Sequence, residues 1–121
     1  MRGESRTAAE FFGAAVRLQP AFRYALRRLG WIRAASPDAG LRDGERAVVL
    51  FERAAAQSDY SAAYDLDGLA AALAEAGRFE PAAARALQAA ARYRAAGDAR
   101  AARRSENRAQ QYGAGVPLRL R

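Results

Sequence analysis

Residues 66–82 read Leu66-Asp67-Gly68-Leu69-Ala70-Ala71-Ala72-Leu73-Ala74-Glu75-Ala76-Gly77-Arg78-Phe79-Glu80-Pro81-Ala82. Leu66, Leu69, Ala70 and Leu73 fall at i, i+3, i+4 and i+7, which lines one apolar stripe along an α-helix. Gly77 is a natural left-handed terminus for that helix. Pro81 then sits in the first turn of the next, where its missing N–H removes no bond. The stretch predicts two helices joined by a tight turn, and such a turn makes them antiparallel neighbours.

The same signals repeat on either side. Leu26, Leu29, Gly30 and Arg33 keep the helical spacing with only the last residue polar, and Ala47, Leu50, Phe51 and Ala54 keep it again. Pro20 closes an opening helix, and Pro37 disfavours helix at Ser36. Asp43 is a plausible N-cap with Glu45 favourable in the first turn behind it, and Asp98 is a second cap. Ser58-Asp59-Tyr60-Ser61 and Gly97 supply further breaks. Six helices follow, over about 7–18, 21–35, 44–57, 62–76, 80–97 and 98–112. Gly113, Gly115 and Pro117 close the last, leaving a basic tail, Leu118-Arg119-Leu120-Arg121.

Composition agrees. About half of the 121 residues are hydrophobic, but much of that is alanine and only 9% are aromatic. Alanine favours helix and carries little apolar surface, so small helices packed closely are expected, in one modest domain. Val and Ile are scarce, which argues against a sheet. With no Cys and no His, disulfides, thiolate chemistry, the usual zinc sites and the usual proton shuttle are all removed. The run Phe11-Phe12-Gly13-Ala14-Ala15-Val16 is too short for a signal peptide, and no stretch approaches a membrane span. The chain as given is expected to be soluble, with no membrane insertion, and the cytoplasm is favoured.

Net charge is +7, and every basic residue is Arg. Absence of Lys beside so much Ala fits codon bias in a GC-rich genome, but the excess of bases over acids also suits an acidic partner.

Laid in register, the helices form a repeat. Ala8-x3-Phe12 followed by Pro20 stands at the start. Leu26-x2-Leu29-Gly30 with Ala47-x3-Phe51 and Ala54 comes next. Leu66-x2-Leu69-Ala70-x2-Leu73 with Phe79, Ala82, Ala86 and Ala89 is the third. This pattern resembles the tetratricopeptide repeat, whose units of about 34 residues pair a helix bearing W-x2-L-G-x2-Y with one bearing A-x3-F. Leu26 and Leu66 replace the Trp, Arg33 and Leu73 the Tyr, and the 36–43 loop adds about five residues. Segments such as Leu29-Gly30-Trp31-Ile32-Arg33-Ala34-Ala35-Ser36-Pro37-Asp38 and Tyr112-Gly113-Ala114-Gly115-Val116-Pro117 resemble the C-terminal repeats of one bacterial subgroup.

The resemblance implies an all-α fold of antiparallel helix pairs stacked as a short solenoid. Residues 7–20 would be a partial repeat holding only a second helix. Repeats would follow at 21–58 and 61–97, then a capping helix at 98–112 and a tail at 113–121. Small residues at Gly30, Ala47, Ala70 and Ala82 would let backbones approach, with Leu29, Phe51, Leu69 and Phe79 filling the space. Phe11, Phe12 and Val16 would lack part of their cover, so the N-terminal helix is expected to dock on a preceding repeat, another domain or a second copy.

In that family the first helix of each pair lines a concave groove, which places Tyr24, Arg27 and Trp31 from one unit and Tyr64, Asp67 and Ala71 from the other. An aromatic beside an Arg is a common interface anchor. Trp31 could equally pack on the inserted loop, and Tyr64 reads more as packing than as contact. The family's familiar clamp of Lys and Asn does not carry over, since Lys is absent and Asn107, the only Asn, falls in the sixth helix. Arg100, Arg104 and Arg108 share a face at i, i+4 spacing, as a basic surface or simply a solvated capping face.

No catalytic or metal-binding group emerges. Asp65 and Asp67, two apart on a helix, point in different directions, and the Ser and Thr residues lack an activating base. No cofactor is implied. The expected function is a scaffold binding a protein or peptide, acidic ligands being favoured. A basic nucleic-acid module using the sixth helix is the weaker alternative, distinguishable by salt dependence. A third is a regulatory appendage of a larger enzyme.

Overall fold

The computed structural model describes residues 2–120, in which each expected stretch becomes one α-helix and no strand occurs among the described residues. The helices are α1 (Arg2–Leu18), α2 (Arg23–Ala35), α3 (Gly44–Ala56), α4 (Ala63–Glu75), α5 (Phe79–Ala95) and α6 (Ala99–Gly113). Each packs on the next, and α2 also packs beside α4, the arrangement of stacked helix pairs.

The ends follow local chemistry. Asp43 accepts a hydrogen bond from the Arg46 N–H at 3.1 Å and Asp98 one from the Ala101 N–H at 3.0 Å, each satisfying an orphan donor of the first turn. Gly77 takes a φ of +83° to end α4. The turn between α3 and α4 does without glycine: Asp59 and Tyr60 both adopt positive φ, and the Ser58 hydroxyl accepts from the Ala62 N–H at 3.1 Å.

Two helix starts differ from expectation by more than one residue. Helix α1 starts at Arg2, not Thr7, because nothing between them breaks a helix. The Thr7 hydroxyl donates back to the Gly3 carbonyl at 2.9 Å within the helix rather than capping its start. Helix α2 starts at Arg23, after a turn in which the Phe22 N–H meets the Gln19 carbonyl at 2.9 Å.

The 36–43 loop is also more structured than a bare insertion. Asp38 accepts from the Gly40 N–H, and a single 3-10 turn (Ala39–Leu41) drives Leu41 into the core. Arg33 donates to the Leu41 carbonyl and accepts, through its own carbonyl, the Asp43 N–H.

Phe51 explains the close packing. It is fully buried, and a Cβ added at Gly30 would lie 2.6 Å from its ring, one at Gly68 only 2.2 Å away. Glycines on α2 and α4 thus grip one phenyl ring of α3 from both sides. Gly30 was expected to permit close approach; Gly68 was not. The core divides in two: Phe51, Leu69, Leu73 and Tyr112 belong to one cluster, and Phe12, Val16, Leu26, Leu29 and Leu50 to another beneath α1.

At the N-terminal end the cover is incomplete. Phe11 is 66% exposed and Leu18 83%, with Phe22 and Tyr24 also open to solvent.

Candidate functional site

Residues 27 and 31 lie almost opposite residues 29 and 33 around an α-helix, so α2 serves two sides of the molecule. On the side of Trp31, helices α2, α4 and α6, with the end of α5, enclose a groove of about 400 Å³. Its walls carry Arg28, Trp31, Tyr64, Tyr93, Arg104 and Arg108.

Two buried carboxylates lie on α4 at the base of the groove, and Asp67 lines it. Asp65 is fully buried and accepts two hydrogen bonds from Arg27, at 2.7 and 3.0 Å. That bidentate pair holds the guanidinium pKa above its ordinary value. Asp67, also buried, accepts from the Ser105 hydroxyl at 3.2 Å and from Arg108 at 3.0 Å. Burial still outweighs these bonds and raises the Asp67 carboxyl above its ordinary pKa. The two aspartates diverge, one to α2 and one to α6.

The Arg27–Asp65 and Asp67–Ser105 bonds both span 38 residues. Counted from the helix starts, the two differ: Arg27 and Asp65 are the fifth and third residues of α2 and α4, Asp67 and Ser105 the fifth and seventh of α4 and α6.

Aromatic rings and cations cover this base. The Trp31 ring meets Phe51 edge-on at 5.5 Å and Tyr64 at 6.1 Å, with Arg108 above it at 5.8 Å. Arg27 lies over Tyr64 at 5.0 Å. Arg104 favours the ionised form of the nearby Tyr93 hydroxyl, but burial outweighs it and pushes that pKa up. Trp31 Nε1 is buried and has no hydrogen-bond partner among the described residues. Buried donors are rarely left so.

The expected groove residues fare differently. Trp31, Tyr64 and Asp67 line the concavity, and Arg27 supports it through Asp65 and Tyr64. Trp31 packs on Phe51 and Tyr64 while keeping a face to the groove. Ala71 is fully buried, so it presents no side-chain surface to a ligand. Tyr24 stands at the N-terminal aromatic edge, 5.7 Å from Phe12 and 6.2 Å from Phe22. Of the sixth-helix arginines, Arg100 is exposed, whereas Arg104 and Arg108 turn into the groove and join the other set.

Arg28, Ile32, Tyr93 and Leu120 complete the lining and were not foreseen. Tyr93 sits on a second helix, where phase offers no reason to place a residue in the groove. Leu120 arrives through the tail: its N–H donates to the Ala35 carbonyl at 2.7 Å, and Arg119 pairs with Glu75 at 2.6 Å.

Among the described residues no three His, Cys, Asp or Glu side chains gather as a metal site, and no helix is long and apolar enough to cross a membrane. Scans of protein-family models, of curated proteins and of solved structures each return no match to this chain.

Proposed function

We propose that this chain is a tetratricopeptide-like interaction module that holds a peptide or helix of a partner protein in the α2–α4–α6 groove. The observation that carries this reading is Trp31. It is the only tryptophan, it lies in a concavity with Tyr64, Tyr93 and three arginines, and its Nε1 donor is unmatched. Aromatic and Arg side chains together are the usual anchors of protein interfaces. A backbone carbonyl or carboxylate of a ligand would satisfy the Trp31 donor.

The experiment selects peptides on the full chain and titrates the best of them while following Trp31 emission. Arg28→Glu and Arg104→Glu are expected to weaken binding about tenfold each, roughly 1.4 kcal/mol. Arg27→Glu is a poor probe, because it would set a second carboxylate against buried Asp65. Selected peptides that leave Trp31 emission and both variants' affinities unchanged would dispose of the groove.

The open rings of Phe11, Phe22 and Tyr24 support docking of the N-terminal end on a preceding repeat, another domain or a second copy. Sedimentation at several concentrations separates the last case, a monomer at high micromolar concentration excluding it.

A further inference from the structure

On the opposite side of α2 a second concavity, about 830 Å³, opens between α1 and α3. Five arginines line it, Arg6 and Arg17 from α1, Arg33 from α2, Arg46 and Arg53 from α3, against one acid, Glu10. Arg33 is committed to the Leu41 carbonyl. The guanidinium groups of Arg6, Arg17, Arg46 and Arg53 have no hydrogen bond, ion pair or ring contact among the described residues. Four unneutralised cations facing one trough raise the local positive potential, and low-dielectric walls focus it.

We propose that this cleft binds an acidic amphipathic helix of a partner protein. Three features select that occupant. First, α1 and α3 run in the same direction, each antiparallel to α2, and form two parallel walls. Arg46 and Arg53 stand seven residues apart on one face of α3, about 10 Å along the axis, and Arg6 and Arg17 eleven apart on one face of α1, about 16 Å. Whole helical turns separate each pair, so acids on both flanks of an inserted helix can meet them. Second, the floor between the cation rows is apolar, with Val16, Leu29 and Leu50 beneath and half-exposed Val49 on the wall. An apolar stripe flanked by carboxylates complements such a section. Third, no aromatic side chain lines the cleft, so single-stranded nucleic acid finds no ring to stack on. A duplex is too wide to enter between two helices resting on a third.

This inference is independent of the groove, because Trp31 faces away from the cleft. The probe is a synthetic helix-forming peptide of about 18 residues, matched to the length of α1, with a leucine stripe flanked by glutamates at i and i+7. Its binding to the full chain is followed by fluorescence anisotropy at low and physiological salt.

The expected result is saturable binding that weakens with salt and falls at least about tenfold when Arg17→Glu and Arg53→Glu are combined. The neutral pair Arg17→Gln and Arg53→Gln, checked by thermal melting, should show a smaller loss in the same direction. Arg104→Glu should bind as the wild type does, with Trp31 emission unchanged. Absence of saturable binding overturns the proposal. So does a loss shared by Arg104→Glu with a Trp31 response, which puts the peptide in the groove. Tighter binding of oligouridylate than of the peptide, abolished by the same paired variants, replaces the protein ligand with a nucleic acid and overturns it too.

Discussion

Around the groove the cations have counterparts: Arg27 holds Asp65, Arg108 holds Asp67, Arg104 meets Tyr93, and Arg28 lies over the Phe12 ring at 5.5 Å. Across α2, the cleft keeps four arginines whose side chains have no such partner among the described residues. The difference separates two uses of one residue type. A buried carboxylate is costly unless a cation neutralises it, so the arginines nearest the groove base are structural before they are anything else. Cleft arginines neutralise nothing and can be changed without exposing a hidden charge. A binding defect in the cleft therefore reads as binding, whereas a defect at Arg27 or Arg108 reads first as folding.

Arg27→Ala should show the largest effect. It strands the Asp65 carboxylate in the interior and is expected to lower stability by about 3 kcal/mol in urea unfolding, the low end of the range because Arg27 is partly solvated. A loss well under 1 kcal/mol would mean that the pair is incidental, and the contrast with the cleft would collapse. Next comes Gly68→Ala, whose added methyl must displace the Phe51 ring, at a cost of about 1–3 kcal/mol. Since Trp31 leans on that ring, its emission should shift as well; unchanged emission would show that the groove floor is not coupled to Phe51.

A subtler effect belongs to Asp67. Its folded pKa is raised, so the folded chain takes up a proton before the unfolded chain does as pH falls. Its charge therefore costs stability at neutral pH, and the cost is relieved through the raised pKa down to the ordinary 3.8. Compared with Asp67→Asn, the wild type should gain stability as pH drops from 7 toward 4. Urea titrations at a series of pH values check the sign, and a difference that moves the other way would mean that the Arg108 bond dominates. The smallest change is expected from Arg17→Gln in the cleft. Its melting temperature should stay level or rise slightly, as like charges are thinned; a clear fall would reveal a structural partner for Arg17 and weaken the cleft's reading as free charge.

Much of the fold was legible along the chain because helix depends on local properties. Leu66, Leu69, Ala70 and Leu73 keep the period, Asp43 and Asp98 cap, and Gly77 and Gly97 terminate. The site was legible only in part. Phase placed Trp31, Tyr64 and Asp67 in one concavity, but not Tyr93 or Leu120, whose positions depend on how α5 meets α6 and on the tail returning to the end of α2. Ala71 shows the limit from the other side, since helical phase gives a direction but not whether a neighbour already fills it.

The residue order alone determined six helices, most of their ends and their antiparallel succession, because hydrogen bonds within a turn and the entropy of short loops act over a few residues. Which charges are spent on buried aspartates and which stay free was decided only when α4 stacked on α2 and α1 stood apart from α3. Pairing over 38 residues needs a distance, and no local rule supplies one.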